Sequence, residues 1–196
     1  DWSGRFGRGD ALAPSSNRTL LIHAVSVGEL NAIRLLVEKL QEADPAMRII
    51  ISTTTNTGIN RARQLYEPEH LVVRFPFDFS PCVRRFLDRI RPDAVALVEL
   101  EIWPNFILQC DRRGIPVCVV NGRLSERSFR RYRLSRYVIR PTFEKITFAV
   151  VQNKVHGRRF TSLGTLPDRV HVADTMKWDT AKVADNVAGA ENLAKV

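Results

Sequence analysis

Short apolar runs alternate along this chain with stretches of helical spacing, and each run empties into a polar or small-residue turn. That pattern suits a parallel sheet covered by helices on both faces. The runs fall at 20–25, 48–52, 71–75, 94–98, 116–120 and 146–152, with a last short one at 169–173. Helical stretches are read at about 29–42, 59–66, 81–90 and 154–163, with one opening at Pro104 and another running from about Ser125 to a break at Pro141. In the first of these Leu30, Ile33, Leu36, Val37 and Leu40 form one core-facing stripe, and Asp44-Pro45 stops it. The expected fold class is therefore α/β, a Rossmann-like parallel sheet. With 196 residues, 44% of them hydrophobic, the chain can build one sizeable core. The reading is a flexible, polar, Gly-rich segment over 1–18, one domain over 19–179 and an Ala-rich connector over 180–196.

Within this pattern the stretch His23-Ala-Val-Ser-Val-Gly-Glu29 joins the first strand to the first helix. Ser26 is placed to cap that helix, and Gly28 lets a substrate approach the backbone. Glu29 falls in the first turn, where the helix dipole favours its charged form. Open α/β sheets collect ligands beyond the carboxyl ends of their strands, and an ionised carboxylate there can accept a proton. The same spacing also suits a glutamate that only completes a helix start, so spacing alone leaves both readings open.

Three further turns invite a ligand. Strand four ends in Glu99-Leu100-Glu101, and continued extension would send both carboxylates to one side, where they need a cation or a ligand to answer them. The run Thr53-Thr54-Thr55-Asn56-Thr57-Gly58 offers hydroxyls and backbone N–H groups to a polar ligand, or serves only as a capping loop. Asn121-Gly122-Arg123 is another polar turn opening a helix. Trp103, before Pro104, is read as packing, and His23 as a hydrogen-bonded structural histidine.

Other chemistries find no support. A G-x-G-x-x-G after the first strand, a G-x-x-x-x-G-K-[ST] and a G-x-S-x-G are all absent. The four histidines share no metal-ligand spacing, and three cysteines without C-x-x-C spacing point to neither zinc nor a disulfide framework. No apolar run approaches the length of a membrane span, and the polar start does not read as a signal peptide. A formal charge of +9 implies attraction to phosphates of nucleic acid, anionic lipid or substrate. Arginines are densest over 123–140, interleaved with Phe129, Tyr132 and Tyr137, a mixture that fits a nucleic-acid face or a membrane interface equally. No recognisable RNA- or DNA-binding motif accompanies it.

Taken in order, HAVSVGE at 23–29, STTTNTG at 52–58, FPFD at 75–78, ELEIWPN at 99–105, VNGRLSERS at 120–128 and MKWD at 176–179 resemble the bacterial Kdo (3-deoxy-D-manno-octulosonic acid) transferases. These are inverting glycosyltransferases that move Kdo from CMP-Kdo to the lipid A precursor in lipopolysaccharide assembly. The likeness runs unbroken over about 19–179. It implies the GT-B architecture, two Rossmann-like domains facing a cleft. This chain would be the first, acceptor-binding half, most CMP-Kdo contacts would lie in the second, and the fragment would not turn over alone. It implies that Glu29 is the general base removing the proton of the acceptor's sugar hydroxyl. It assigns Glu99 and Glu101 to a paired acidic motif that helps hold acceptor or sugar, with Gly28, Thr54, Thr55, Asn121 and Arg123 in the matching loops. It implies no metal, no cofactor and no nucleic-acid partner, and work at the cytoplasmic face of the bacterial inner membrane, where basic residues meet an anionic surface. Leu100 between the acids, Gly122, and Asp174 in place of a glycine depart from the family pattern.

Overall fold

A computed structural model of the chain describes residues 2–13, 15–99, 102–173 and 176. Seven strands, β1 (Thr19–His23), β2 (Arg48–Thr53), β3 (Leu71–Arg74), β4 (Ala94–Val98), β5 (Val117–Gly122), β6 (Phe148–Val151) and β7 (Val170–Val172), form one sheet in the order β3-β2-β1-β4-β5-β6-β7. Every pairing is parallel. The helices between them are α1 (Val27–Ala32), α2 (Arg34–Ala43), α3 (Asn56–Tyr66), α4 (Ser80–Ile90), α5 (Pro104–Asp111), α6 (Glu126–Leu134), α7 (Arg136–Glu144) and α8 (Lys154–Leu163).

Alternation along each strand divides the core in two. Leu21, Ile50, Val95 and Leu97 face one side with Phe86, Phe106, Phe143 and Phe160 of α4, α5, α7 and α8. Ile22, Ile51, Ala96 and Val98 face the other with Leu30, Ile33, Val37, Ile59 and Tyr66 of α1 to α3. A sheet buried on both faces explains why its strands read as near-continuous apolar runs.

Four local expectations change. The single helix expected over 29–42 is two, interrupted at fully buried Ile33, whose φ of −85° and ψ of 0° lie in the bridge region. Leu30, Ile33 and Val37 share one core on both sides of the interruption. Pro141 does not break its helix; it lies inside α7, and the break falls at Ser135. There the Ser135 hydroxyl donates to the Arg131 carbonyl at 3.2 Å, competing with the helical ladder, whereas the carbonyl that Pro141 cannot reach belongs to exposed Tyr137 and is open to water. Strand β5 continues through Asn121 and Gly122, so Asn121 belongs to the sheet rather than to a turn. The leading residues, read above as flexible, carry a 3-10 turn over Ser3–Phe6. Arg5 Nη1 of that turn donates to the Phe75 carbonyl at 3.0 Å, and Leu12 N–H donates to the Arg89 carbonyl at 3.2 Å.

Candidate functional site

The chain leaves β1 toward β2 on one side and leaves β4 toward β5 on the other, so the crevice between the carboxyl ends of β1 and β4 is the sheet's topological switch point. Glu29 and Glu99 both sit at this crevice. Ser26 caps α1, its Oγ accepting from Glu29 N–H at 3.1 Å, and the Glu29 side chain folds back so that Oε2 accepts from Val25 N–H at 2.9 Å. This is a capping-box geometry displaced by one residue, since the glutamate reaches the amide before the cap rather than that of the cap itself. The structural role of a helix start and the position at a ligand crevice therefore belong to the same side chain.

Glu29 keeps 8% of its surface exposed. The dipole argument predicted a carboxyl held below its ordinary value; the structure reverses the sign. Burial raises the Glu29 pKa above the ordinary glutamate value, the Val25 amide and the Ser26 hydroxyl oppose that shift, and the charge of Glu99 adds to it. Loss of hydration outweighs a first-turn dipole because the side chain is tucked under the turn. No described lysine or arginine forms an ion pair with it.

Glu99 follows β4 with φ at +55°, and its N–H donates to the Val120 carbonyl at 3.0 Å. Left-handed backbone at Glu99 ends the extended run after Val98; Glu101, and with it the expected pairing of the two carboxylates, lies outside the described residues. Asn121, at the end of the neighbouring strand, has φ at +54°. Such geometry costs a non-glycine residue about 1 kcal/mol and gathers at functional crevices. Asn121 is buried; its Oδ1 accepts from Gln152 Nε2 at 3.1 Å and from Met176 N–H at 3.3 Å, while its Nδ2 has no partner among the described residues.

The remaining expected residues are distributed unevenly. Thr55 caps α3, accepting from Gly58 N–H at 3.0 Å, and Thr54 offers its carbonyl to Arg74 at 3.1 Å. Gly28 is exposed, and a side-chain carbon there would meet only Ser26 Oγ, at 3.8 Å, which leaves the approach open to a ligand. Arg123 is exposed on the β5–α6 loop, where its charge helps lower the pKa of His156.

Sequence reasoning passed over the support beneath the crevice. Thr53 Oγ1 donates to the Val25 carbonyl at 3.1 Å, so the residue whose amide holds Glu29 is itself held from β2. Gly58 permits this: a Cβ there would stand 2.5 Å from Thr53 Oγ1 and 2.8 Å from Thr55 Oγ1. Its place at the end of a hydroxyl run was the available signal. His23 is the structural histidine expected, with Nδ1 at 3.1 Å from both the Ser52 carbonyl and hydroxyl and its ring stacked 3.7 Å from Phe75. Burial pulls its pKa down to about 3, so it is neutral. Trp103 packs on the same pair, 5.5 Å from Phe75 and 6.2 Å from His23, as packing predicts. Asp78 of the FPFD stretch caps α5, its carboxylate accepting from the Asn105 and Phe106 amides at 3.0 and 2.7 Å. Among the described residues no group of three or more His, Cys, Asp or Glu gathers as a metal site.

Residues 1–180 match the family model described as 3-deoxy-D-manno-octulosonic-acid transferase (kdotransferase). The chain belongs to the Kdo transferase family. Among curated relatives of this kind, the 3-deoxy-D-manno-octulosonic acid transferase of Haemophilus influenzae is 31% identical over 176 residues, which cover 89% of this chain and 41% of that protein. The enzyme of the same name from Chlamydia trachomatis serovar D is 28% identical over 177 residues, 90% of this chain and 41% of its own length. The chain thus spans about two fifths of the relatives it matches. Among solved structures, a UDP-N-acetylglucosamine 2-epimerase of Listeria monocytogenes superposes with a TM-score of 0.66 at 10% identity, over 91% of this chain and 51% of that one. The corresponding Neisseria meningitidis epimerase, bound to UDP-GlcNAc, gives 0.61 at 13% identity, over 91% and 51%. These likenesses establish the Rossmann-like fold that the family member shares with half of each epimerase.

Proposed function

We propose that this chain is the acceptor-binding half of a GT-B glycosyltransferase that transfers Kdo from CMP-Kdo to the lipid A precursor, with Glu29 as general base. The observation that carries the reading is the meeting of Glu29 and Glu99 at the switch-point crevice of a Kdo transferase family member. In the proposed step the acceptor's sugar oxygen bonds to the anomeric carbon of Kdo as the bond from that carbon to the CMP phosphate breaks. CMP departs with the electron pair, and the hydroxyl proton passes to the Glu29 carboxylate. A carboxyl raised above the ordinary glutamate value is a better proton acceptor than a free one, and the Val25 amide fixes its direction. Glu99, with Glu101, Gly28, Thr54, Thr55, Asn121 and Arg123, would hold acceptor or sugar around it.

The same proposal extends to the membrane. No helix among the described residues is long and apolar enough to cross one. At the α6–α7 corner, however, Leu134, Tyr137 and Val138 are 88%, 87% and 78% exposed, ringed by Arg130, Arg131, Arg133, Arg136 and Arg140. A protruding apolar tip with a cationic collar suits an anionic lipid face at which a lipid-borne acceptor resides.

Turnover of Glu29→Gln in the full-length enzyme tests the chemistry. The expected fall is roughly 10²- to 10⁴-fold, the range for loss of a general base, with circular dichroism unchanged. Near-normal turnover removes Glu29 from the mechanism.

A further inference from the structure

The turn that joins β5 to α6 is gripped from the segment that leads out of β6 into α8. Gln152, just past β6, donates through Nε2 to the Asn121 carbonyl at 3.2 Å and to Asn121 Oδ1 at 3.1 Å, and its N–H donates to the Gly122 carbonyl at 3.0 Å. Further along the turn Arg159 of α8 donates from Nη1 to the Leu124 carbonyl at 2.5 Å and from Nη2 to the Glu126 carboxylate. His156 Nδ1 stands 3.3 Å from the Leu124 nitrogen and 3.1 Å from the Leu124 carbonyl oxygen. Asn121, Gly122 and Leu124 are buried, and Arg123, between the two grips, is exposed.

Packing alone does not call for an arginine here. The buried residues of α8 are Gly157, Phe160 and Leu163, and the neighbouring Arg158 is exposed. The Arg159 side chain keeps only 17% of its surface exposed, and its guanidinium carbon lies 5.7 Å from the centre of the Phe129 ring on α6. A guanidinium largely out of water and answered by both a carbonyl and a carboxylate fixes the direction of its partners, because its donors form a planar fork that an ammonium lacks. The carboxylate belongs to the first turn of α6, so the same fork secures the helix start that Ser125 caps, its Oγ accepting from Ser128 N–H at 3.2 Å. Burial first, then the charges of Arg159 and Arg123, hold the His156 pKa below its ordinary 6.5, with the Leu124 carbonyl opposing. Both guanidinium groups thus act on one imidazole, and repulsion between them favours Arg123 turned outward, away from α8.

We propose that Arg159 is a positioning residue for the transfer reaction, bracing the β5–α6 turn so that Arg123 is offered to the substrate in one direction. Arg159 does not touch the substrate and acts only through Arg123. β5 is the direct neighbour of β4, and Glu99 N–H is joined to the Val120 carbonyl, so the braced turn opens beside the crevice. The inference rests on the reading that Arg123 meets the substrate and adds the residue that holds it there. Bracing is measured without turnover, so the two fail separately.

Hydrogen exchange over residues 121–128 and steady-state kinetics, both on the full-length enzyme, test it. Arg159→Gln is expected to speed exchange across that segment at least about tenfold while the amides of β1 and β4 keep their protection. In Arg159→Gln and in Arg123→Gln, kcat/KM for the acceptor should each fall about tenfold, chiefly through KM, and by no more than about twofold further when the two are combined. A merely structural role for Arg159 would give losses that multiply. Arg159→Lys keeps the charge without the fork and should recover only part of the loss; it also replaces Arg159→Gln if that variant melts early. Arg158→Gln should leave exchange and kinetics unchanged. Unaltered exchange in Arg159→Gln, normal kinetics despite faster exchange, losses that multiply in the combined variant, or full activity in Arg159→Lys overturns the inference. Normal kinetics in Arg123→Gln removes Arg123 from the substrate and the inference with it, and leaves the role of Glu29 standing.

Discussion

The backbone amide of Val25 and the carboxylate of Glu29 are joined at 2.9 Å, and the carbonyl of the same Val25 is held by Thr53 at 3.1 Å. One peptide segment thus ties the end of β1 to the proposed base and to β2, so the carboxylate is positioned by the sheet and not by its helix alone. Disturbing either end should show at the other.

The raised pKa of Glu29 makes its charge a liability for stability. The native state releases this proton less readily than the unfolded chain, so the cost is absent below the ordinary value of 4.5, grows as pH rises toward the raised native value, and then stays constant. Glu29→Gln removes the charge while its amide oxygen still accepts from Val25. The variant should melt at or above the wild-type temperature at pH 7, and the gap should close on acidification below 4.5. A variant several degrees less stable at pH 7 would mean that the ionised carboxylate stabilises the fold.

His23 has the opposite dependence. Its pKa falls from 6.5 to about 3, chiefly through burial, with the Ser52 carbonyl opposing and the charge of Arg5 assisting. Below pH 6.5 the unfolded chain takes up a proton that the native state refuses. Stability should therefore drop by up to about 1.4 kcal/mol per pH unit between 6.5 and 3. His23→Gln keeps a donor for Ser52 and abolishes the titration, so urea midpoints should vary less with pH across that window. An unaltered acid profile would assign the sensitivity elsewhere.

Gly58 and Gly28 should respond differently to the same change. Gly58→Ala places a carbon 2.5 Å from Thr53 Oγ1, forces that hydroxyl off the Val25 carbonyl and should cost about 1–3 kcal/mol in chemical denaturation. Gly28→Ala meets open space within α1 and should gain up to about 1 kcal/mol from helix propensity. If the acceptor passes over α1, Gly28→Ala should nevertheless raise KM for it with kcat little changed. Equal stabilities for the two variants would contradict the packing described for Gly58.

The α6–α7 corner gives a separate test. Leu134→Ser with Val138→Ser removes two exposed apolar side chains and leaves the arginines. Burial of each in a lipid interface contributes about 1.5–3 kcal/mol, so cosedimentation with anionic vesicles should fall at least about tenfold. Vesicle binding unchanged by the substitutions, or steeply salt-dependent RNA binding tighter than lipid binding, would assign this face to electrostatics alone.

Much of the architecture was legible in the residues because its signals are local. Apolar runs bounded by polar turns fix where strands and helices lie, and a parallel sheet buried on both faces is their consequence. Ser26 announces a helix start that the structure confirms through its side-chain cap, and the hydroxyl run read as a ligand turn or a capping loop does supply the α3 cap, Thr55. Pro141 misled because proline strongly disfavours helix interiors, yet a carbonyl open to water tolerates its missing N–H.

The sequence by itself determined where the strands and helices lie, that the sheet is parallel, which helix stripe faces the core and that acidic side chains follow the first and fourth strands, since each follows from the spacing of neighbours along the chain. Only the tertiary structure decided the sign of the Glu29 shift, the left-handed backbone at Glu99 and Asn121, the bracing of Val25 by Thr53, and the meeting of Arg5 with Arg74 across 69 positions. These depend on burial and on contacts between distant segments. Desolvation and charge act through space, and no period in a sequence records them.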